Sequence, residues 1–134
     1  MLRKTVAILR HLFNWKLMLV SALFNGPLAL LINVNYGSTE YLHAGGWQMV
    51  ASALLTGFTG RLVQHFSALR SPILAYALGS VIPATATFFG SLPFHWFNGT
   101  PELFLTCLGA TAISFGTSFV TNFGTRRRWK WLQP

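Results

Sequence analysis

The sequence predicts an all-α integral membrane protein: a four-helix up-down bundle preceded by a basic amphipathic N-terminal helix. Three observations predict it. Charged residues make up 9% of the 134 positions and hydrophobic ones 52%, where a soluble domain carries about 25% charge. The charges leave four uncharged runs, 17–39, 41–60, 71–101 and 103–125, of 23, 20, 31 and 23 residues. A helix needs about 20 mostly apolar residues to cross about 30 Å of hydrocarbon. Finally, all ten Lys/Arg fall in three regions that four crossings place on one side.

Each element follows in order. In residues 1–15, Leu2, Val6, Leu9 and Phe13 recur at intervals of 4, 3 and 4, with Arg3, Lys4, Arg10, His11 and Asn14 on the rest of the wheel. Such a helix suits the headgroup region. A removable signal peptide fits less well, because the apolar run continues past Ser21 and Ala22 into the first span. A mitochondrial targeting segment shares the same basic, acid-free character and stands as an alternative. The spans are placed at 16–35, 45–65, 72–93 and 103–124, and a basic tail occupies 125–134. The second span is the least hydrophobic, diluted by Gln48, Ser52, Thr56 and Thr59. Ser71-Pro72 starts the third, with proline in the first turn. Turn-rich stretches at 35–40 and 94–101 separate the others, and short connections join antiparallel neighbours.

The positive-inside rule puts both termini in the cytoplasm or its equivalent. Arg3, Lys4, Arg10, Lys16, Arg61, Arg70, Arg126, Arg127, Arg128 and Lys130 share that side, and Glu40 and Glu102 fall opposite. The localisation expected is a bacterial inner membrane, with an organelle membrane as the alternative. Trp15, Trp129 and Trp131 mark the inner boundary; Tyr36, Tyr41, Trp47, Trp96 and Phe97 mark the outer one. The basic cluster Arg126, Arg127, Arg128 and Lys130, interleaved with Trp, points to anionic lipid headgroups rather than nucleic acid.

No Asp, Glu, Lys or Arg lies in the middle of a span, which argues against a proton-coupled antiporter or a voltage sensor. Small multidrug exporters, which rely on an embedded Glu in their first helix, are rejected on that ground. What the spans carry instead is one uncharged stripe each. Ser21, Asn25, Ala29 and Asn33 form the first; Gln48, Ser52, Thr56 and Gly60 the second. Ser80, Ala84, Thr87 and Ser91 form the third; Cys107, Thr111, Ser114, Ser118, Thr121 and Thr125 the fourth. Each lies on one helix face, where small and hydroxylated residues let helices approach closely. Two readings follow: a packed bundle interior, or a polar cavity whose best candidates are Asn25, Asn33 and Gln48. The fourth helix is expected to be the packing spine, through Thr111, Ser114 and Ser118 together with the small-xxx-small pair Ala112 and Gly116. Phe115, Phe119 and Phe123, spaced every four, are expected to face lipid or a loosely packed side.

Glu40, His43, His95 and Glu102 share the outer side and offer a metal-ligand set only if two separate connections meet; solvated loop residues are the plainer reading. Asn98-Gly-Thr100 matches a glycosylation acceptor, but Pro101 follows. One cysteine excludes an intramolecular disulfide or a cysteine-cluster zinc site. No nucleophile motif or phosphate-binding glycine loop is present, so neither enzymatic activity nor a cofactor is expected.

Residues 118–131, SFVTNFGTRRRWKW, resemble the end of a span in GtrA-like proteins, small four-span proteins thought to flip lipid-linked sugars. The resemblance implies a flippase role. It covers 14 residues; the end of the second span, 64–70, fits the pattern poorly, and the first span has no clear match. The function expected is transport or flipping of a small or lipid-like molecule through or along the bundle. The alternatives are a non-catalytic packing subunit of a larger membrane complex, a homo-oligomer included, or a phage-type hole-forming protein.

Overall fold

The computed structural model describes residues 14–129. Four helices fill them: α1 (Trp15–Ile32), α2 (Ser38–Ser67), α3 (Pro72–Phe97) and α4 (Leu103–Arg126), with no strand among the described residues. The amphipathic segment before Asn14, and Lys130 in the tail, lie outside the described residues.

Local chemistry starts and stops each helix. The Asn14 side chain accepts a hydrogen bond from the Leu17 N–H at 3.3 Å and so caps α1. Ser71 caps α3 in the same way through the Leu74 N–H, with Pro72 at the first helical position, where its missing N–H costs nothing. Two helices run longer than the sequence predicts. α2 begins at Ser38 rather than 45, because Ser38, Thr39 and Glu40 form its first turn and the carboxylate suits the positive helix end. α3 continues through Pro93 to Phe97 instead of stopping near 93. Asn98 then closes it, donating to the Phe94 carbonyl at 2.6 Å, and Gly99 turns the chain at φ +61.

Each helix packs antiparallel to the next, and α1 closes the bundle against α4. α2 and α4 also touch across the centre, while α1 and α3 barely meet, so the cross-section is a rhombus with α2–α4 as its short diagonal. Up-down order gathers Lys16, Arg61, Arg70, Arg126, Arg127 and Arg128 at one end of the bundle, with Glu40 and Glu102 at the other.

The interior is polar and small-chained, and the exterior is apolar and bulky. Buried hydrophobics are mostly alanines, with Leu17, Val63 and Cys107. Leu23, Leu31, Ile73, Phe89, Phe97 and Phe104 are all exposed. Water would not hold such a chain together, because burying alanines leaves most of the apolar surface wet. A bilayer inverts the balance: tails satisfy the exterior, and close packing and interhelical hydrogen bonds hold the interior. α1, α3 and α4 are long and apolar enough to cross a membrane. α2 falls outside that set because Gln48, Ser52, Thr56 and Thr59 lower its mean hydropathy, yet all four are buried. Its exposed side is Leu42, Trp47, Val50, Leu54 and Phe58.

Close approach occurs between α1 and α2. A Cβ on Gly45 would run into Leu30 and stand 3.3 Å from the Gly26 carbonyl oxygen, while one on Gly26 would meet Met49. Asn14 N–H donates to the Gly57 carbonyl at 3.0 Å at the cationic end of the same pair.

Candidate functional site

The four stripes meet inside the bundle, and their side chains bond to one another. At the end bearing the glutamates, Asn33 is the hub. Its Nδ2 donates to Thr106 Oγ1 at 3.0 Å and to the Ala29 carbonyl at 2.9 Å; its Oδ1 accepts from the Glu102 N–H at 3.0 Å. One amide thus ends α1, starts α4 and joins the two. Tyr36 donates its hydroxyl proton to Glu102 Oε1 at 2.5 Å. That bond holds the phenol above its usual pKa, since ionisation would put two anions side by side.

Deeper, Gln48 on α2 meets His95 on α3. Gln48 Oε1 can only accept, so the imidazole carries its proton on Nε2, and the Thr100 hydroxyl lies 2.9 Å from Nδ1. Gln48 Nε2 donates onward to Ser52 Oγ at 2.7 Å. At mid-depth Thr56 donates to Ser21 Oγ at 2.7 Å, and Ser21 also receives Asn25 Nδ2 at 3.0 Å. Across the bundle Thr87 donates to Ser114 Oγ at 2.8 Å, and Ser91 contacts the Cys107 thiol. Among the described residues the buried atoms Asn25 Oδ1, Ser80 Oγ, Asn122 Oδ1 and Thr125 Oγ1 have no hydrogen-bond partner.

Asn25, Asn33 and Gln48 are each at most 1% exposed and engaged in these bonds. They lie in a packed seam rather than around an open cavity. Ser114 and Ser118 are buried in it as well, and Thr111 is half-buried, donating within its own helix to the Cys107 carbonyl. The packing pair on α4 needs correction: Ala112 and Gly116 are exposed, and a Cβ on Gly116 would meet nothing within 4 Å. The reason is rotational. The face holding Ser114, Ser118 and Thr121 turns inward, which carries Ala112 and Gly116 outward with Phe115 and Phe119.

The basic cluster divides by role. Arg126 donates to the Ser67 and Leu69 carbonyls at 2.8 and 2.9 Å, so it closes the open end of α2. Arg127 lies over the Phe123 ring at 5.3 Å, and both Arg127 and Arg128 are exposed. On the opposite end the metal set does not assemble. His95 is buried in a helix, not solvated in a loop, while His43 is exposed. No group of three or more His, Cys, Asp or Glu among the described residues could hold a metal ion. The hydroxyl of Thr100, the third residue of the glycosylation acceptor, is held by His95.

Sequence reasoning missed Asn122, fully buried and donating to the Ala75 carbonyl at 2.6 Å. The signal available was Gly79 on the facing helix, whose missing side chain makes room for that amide.

Two grooves open on the apolar exterior, one on each flank of α4. Leu17, Val20, Phe24, Ile113, Gly116 and Val120 line the one against α1, about 420 Å³ in volume. The one against α3, about 380 Å³, is lined by Val81, Ala84, Phe88, Phe89, Leu108 and Phe115.

No protein-family model matches the chain, and no curated protein or solved structure is significantly similar to it.

Proposed function

We propose that this is a non-enzymatic, four-crossing membrane protein with both termini on the cytoplasmic side, and that it moves a lipid-like molecule along its exterior rather than a solute through its centre. One observation carries the reading: Asn33, Gln48, Ser21, Thr56, Thr87 and Ser114 are buried and hydrogen-bonded inside the bundle, whereas the grooves open on both flanks of α4. α2 supports four crossings, because its diluting residues face inward and its outer side is apolar. Among the described residues no Asp, Glu, Lys or Arg is buried in the interior, so it offers no charged relay for a proton.

The test is lipid flipping in proteoliposomes. Vesicles containing the purified protein and a fluorescent phospholipid should lose inner-leaflet label to an external quencher faster than empty vesicles. Equal rates would remove the movement and favour the second reading, a packing subunit. One feature speaks for that second reading: Ala112 and Gly116, one turn apart on the exposed face, let a foreign helix come close.

A further inference from the structure

We propose that His95 is an acid-sensitive latch: while neutral it ties the end of α3 to α2 and to the connection leading into α4, and taking a proton frees that end of the bundle. The latch is a regulatory device and stands whether or not the exterior moves lipid.

His95 is the largest fully buried side chain among the described residues. Each ring nitrogen bonds a different element. Nε2 donates to Gln48 Oε1 on α2, and Nδ1 accepts the Thr100 hydroxyl proton at 2.9 Å. Both partners are buried as well. The backbone repeats the second tie, since the Thr100 N–H donates to the His95 carbonyl at 3.1 Å. One turn earlier on α3, Ser91 contacts the Cys107 thiol of α4 at 3.5 Å. Two helices and a connection thus converge on one imidazole, with a third helix one turn away.

A second proton is what this arrangement does not absorb. A buried cation needs a paired anion. Both contacts of the ring are neutral dipoles, and among the described residues no ion pair reaches it. The titratable groups on the surrounding elements supply none. On α2, Glu40, Tyr41 and His43 lie one to two turns before Gln48, and none of them bonds the ring. Past the connection, Glu102 receives the Tyr36 hydroxyl, and Cys107 lies against Ser91. Lys16, Arg61, His65, Tyr76 and Arg126 stand toward the opposite end. The negative end of α3 favours a cation, but its carbonyls already accept from the Asn98 and Thr100 N–H groups. An imidazole in water takes its proton near about pH 6.5. The opened end lets His95 do so, and the closed end holds it neutral. Closure is therefore full above that pH and is lost as pH falls below it.

The single cysteine of the chain reads the opening. Cys107 is fully buried, so N-ethylmaleimide reaches it only when the end of α3 parts from α4. Purified protein in detergent micelles is labelled at pH 8 and at pH 5. Each rate is divided by that of N-acetylcysteine at the same pH, which removes the pH dependence of a thiol itself. The ratio should rise about tenfold or more from pH 8 to pH 5, the effect of one unit of difference in proton affinity between the open and closed ends. Helical circular dichroism should stay unchanged, which separates local opening from unfolding. His95→Gln takes no proton and should flatten the ratio. Gln48→Glu sets a carboxylate against Nε2, pairs the cation and should flatten it too, so either variant carries the result if the other fails to fold. Glu102→Gln should leave the rise intact. A flat ratio in the wild type would overturn the latch. So would a rise that persists in both the His95 and Gln48 variants, or one that Glu102→Gln abolishes, because the Tyr36 contact would then be the sensor.

Discussion

Gly45 and Gly46 are neighbours in sequence with opposite surroundings, and that makes them a matched test of how the bundle is held. A methyl group on Gly45 points at Leu30 and at the Gly26 carbonyl 3.3 Å away; one on Gly46 finds nothing within 4 Å. Both lie inside α2, so replacing either by alanine gains about 1 kcal/mol of helix propensity. Overpacking then costs Gly45→Ala about 1–3 kcal/mol, because Leu30 must swing away and the α1 backbone cannot. Gly46→Ala should therefore stabilise by up to about 1 kcal/mol, while Gly45→Ala is neutral or costs up to about 2 kcal/mol. Propensity cancels in the difference, which should be about 1–3 kcal/mol. Reversible unfolding in mixed micelles, followed by helical circular dichroism against the mole fraction of denaturing detergent, reads both variants on one scale. Equal effects of the two substitutions would refute the close α1–α2 contact and the reasoning built on it.

Three further outcomes are expected. Arg126→Gln should destabilise by about 1.5–3 kcal/mol, the usual worth of charged hydrogen bonds, since Ser67 and Leu69 lose their donor; Arg128→Gln should be silent in the same unfolding assay. Asn33→Ala should cost about 1–3 kcal/mol by leaving Thr106 and the Glu102 N–H without their buried partner, more than the roughly 0.6 kcal/mol typical of a single interhelical bond in a membrane. For Tyr36, the raised folded pKa means that the protonated phenol is favoured by folding. Its contribution is full below the unfolded value near 10 and is lost as pH rises through the folded value. Absorbance titration should show one tyrosine ionising late, and Glu102→Gln should bring it back toward the ordinary value.

By itself the sequence determined the all-helical class, the apolar length of the spans and the four helices among the described residues. Those follow from chain-wide quantities: the spacing of twelve charges and the length of the uncharged runs between them. It also determined that each helix has one small, hydroxylated face, because a four-residue recurrence is a property of a single helix. The start of α3 was legible at Ser71-Pro72, but that of α1 was not, because Asn14 reads as part of the amphipathic segment and instead caps α1, and the first turn of α2 reads as a loop. Only the tertiary structure decided the rotation of each helix about its own axis. Spacing alone leaves the two sides of α4 equally eligible: the serines on one, Ala112 and Gly116 on the other. Packing against α3 at Thr87 and Ser114 chose the serine side, which turned Gly116 from a presumed contact into the floor of an open groove. The same choice separated three adjacent arginines. Arg126 points at the carbonyls of another helix and Arg127 at a ring of its own, and no sequence pattern distinguishes them, because those partners lie 59 and 57 residues away in one case and one helical turn away in the other.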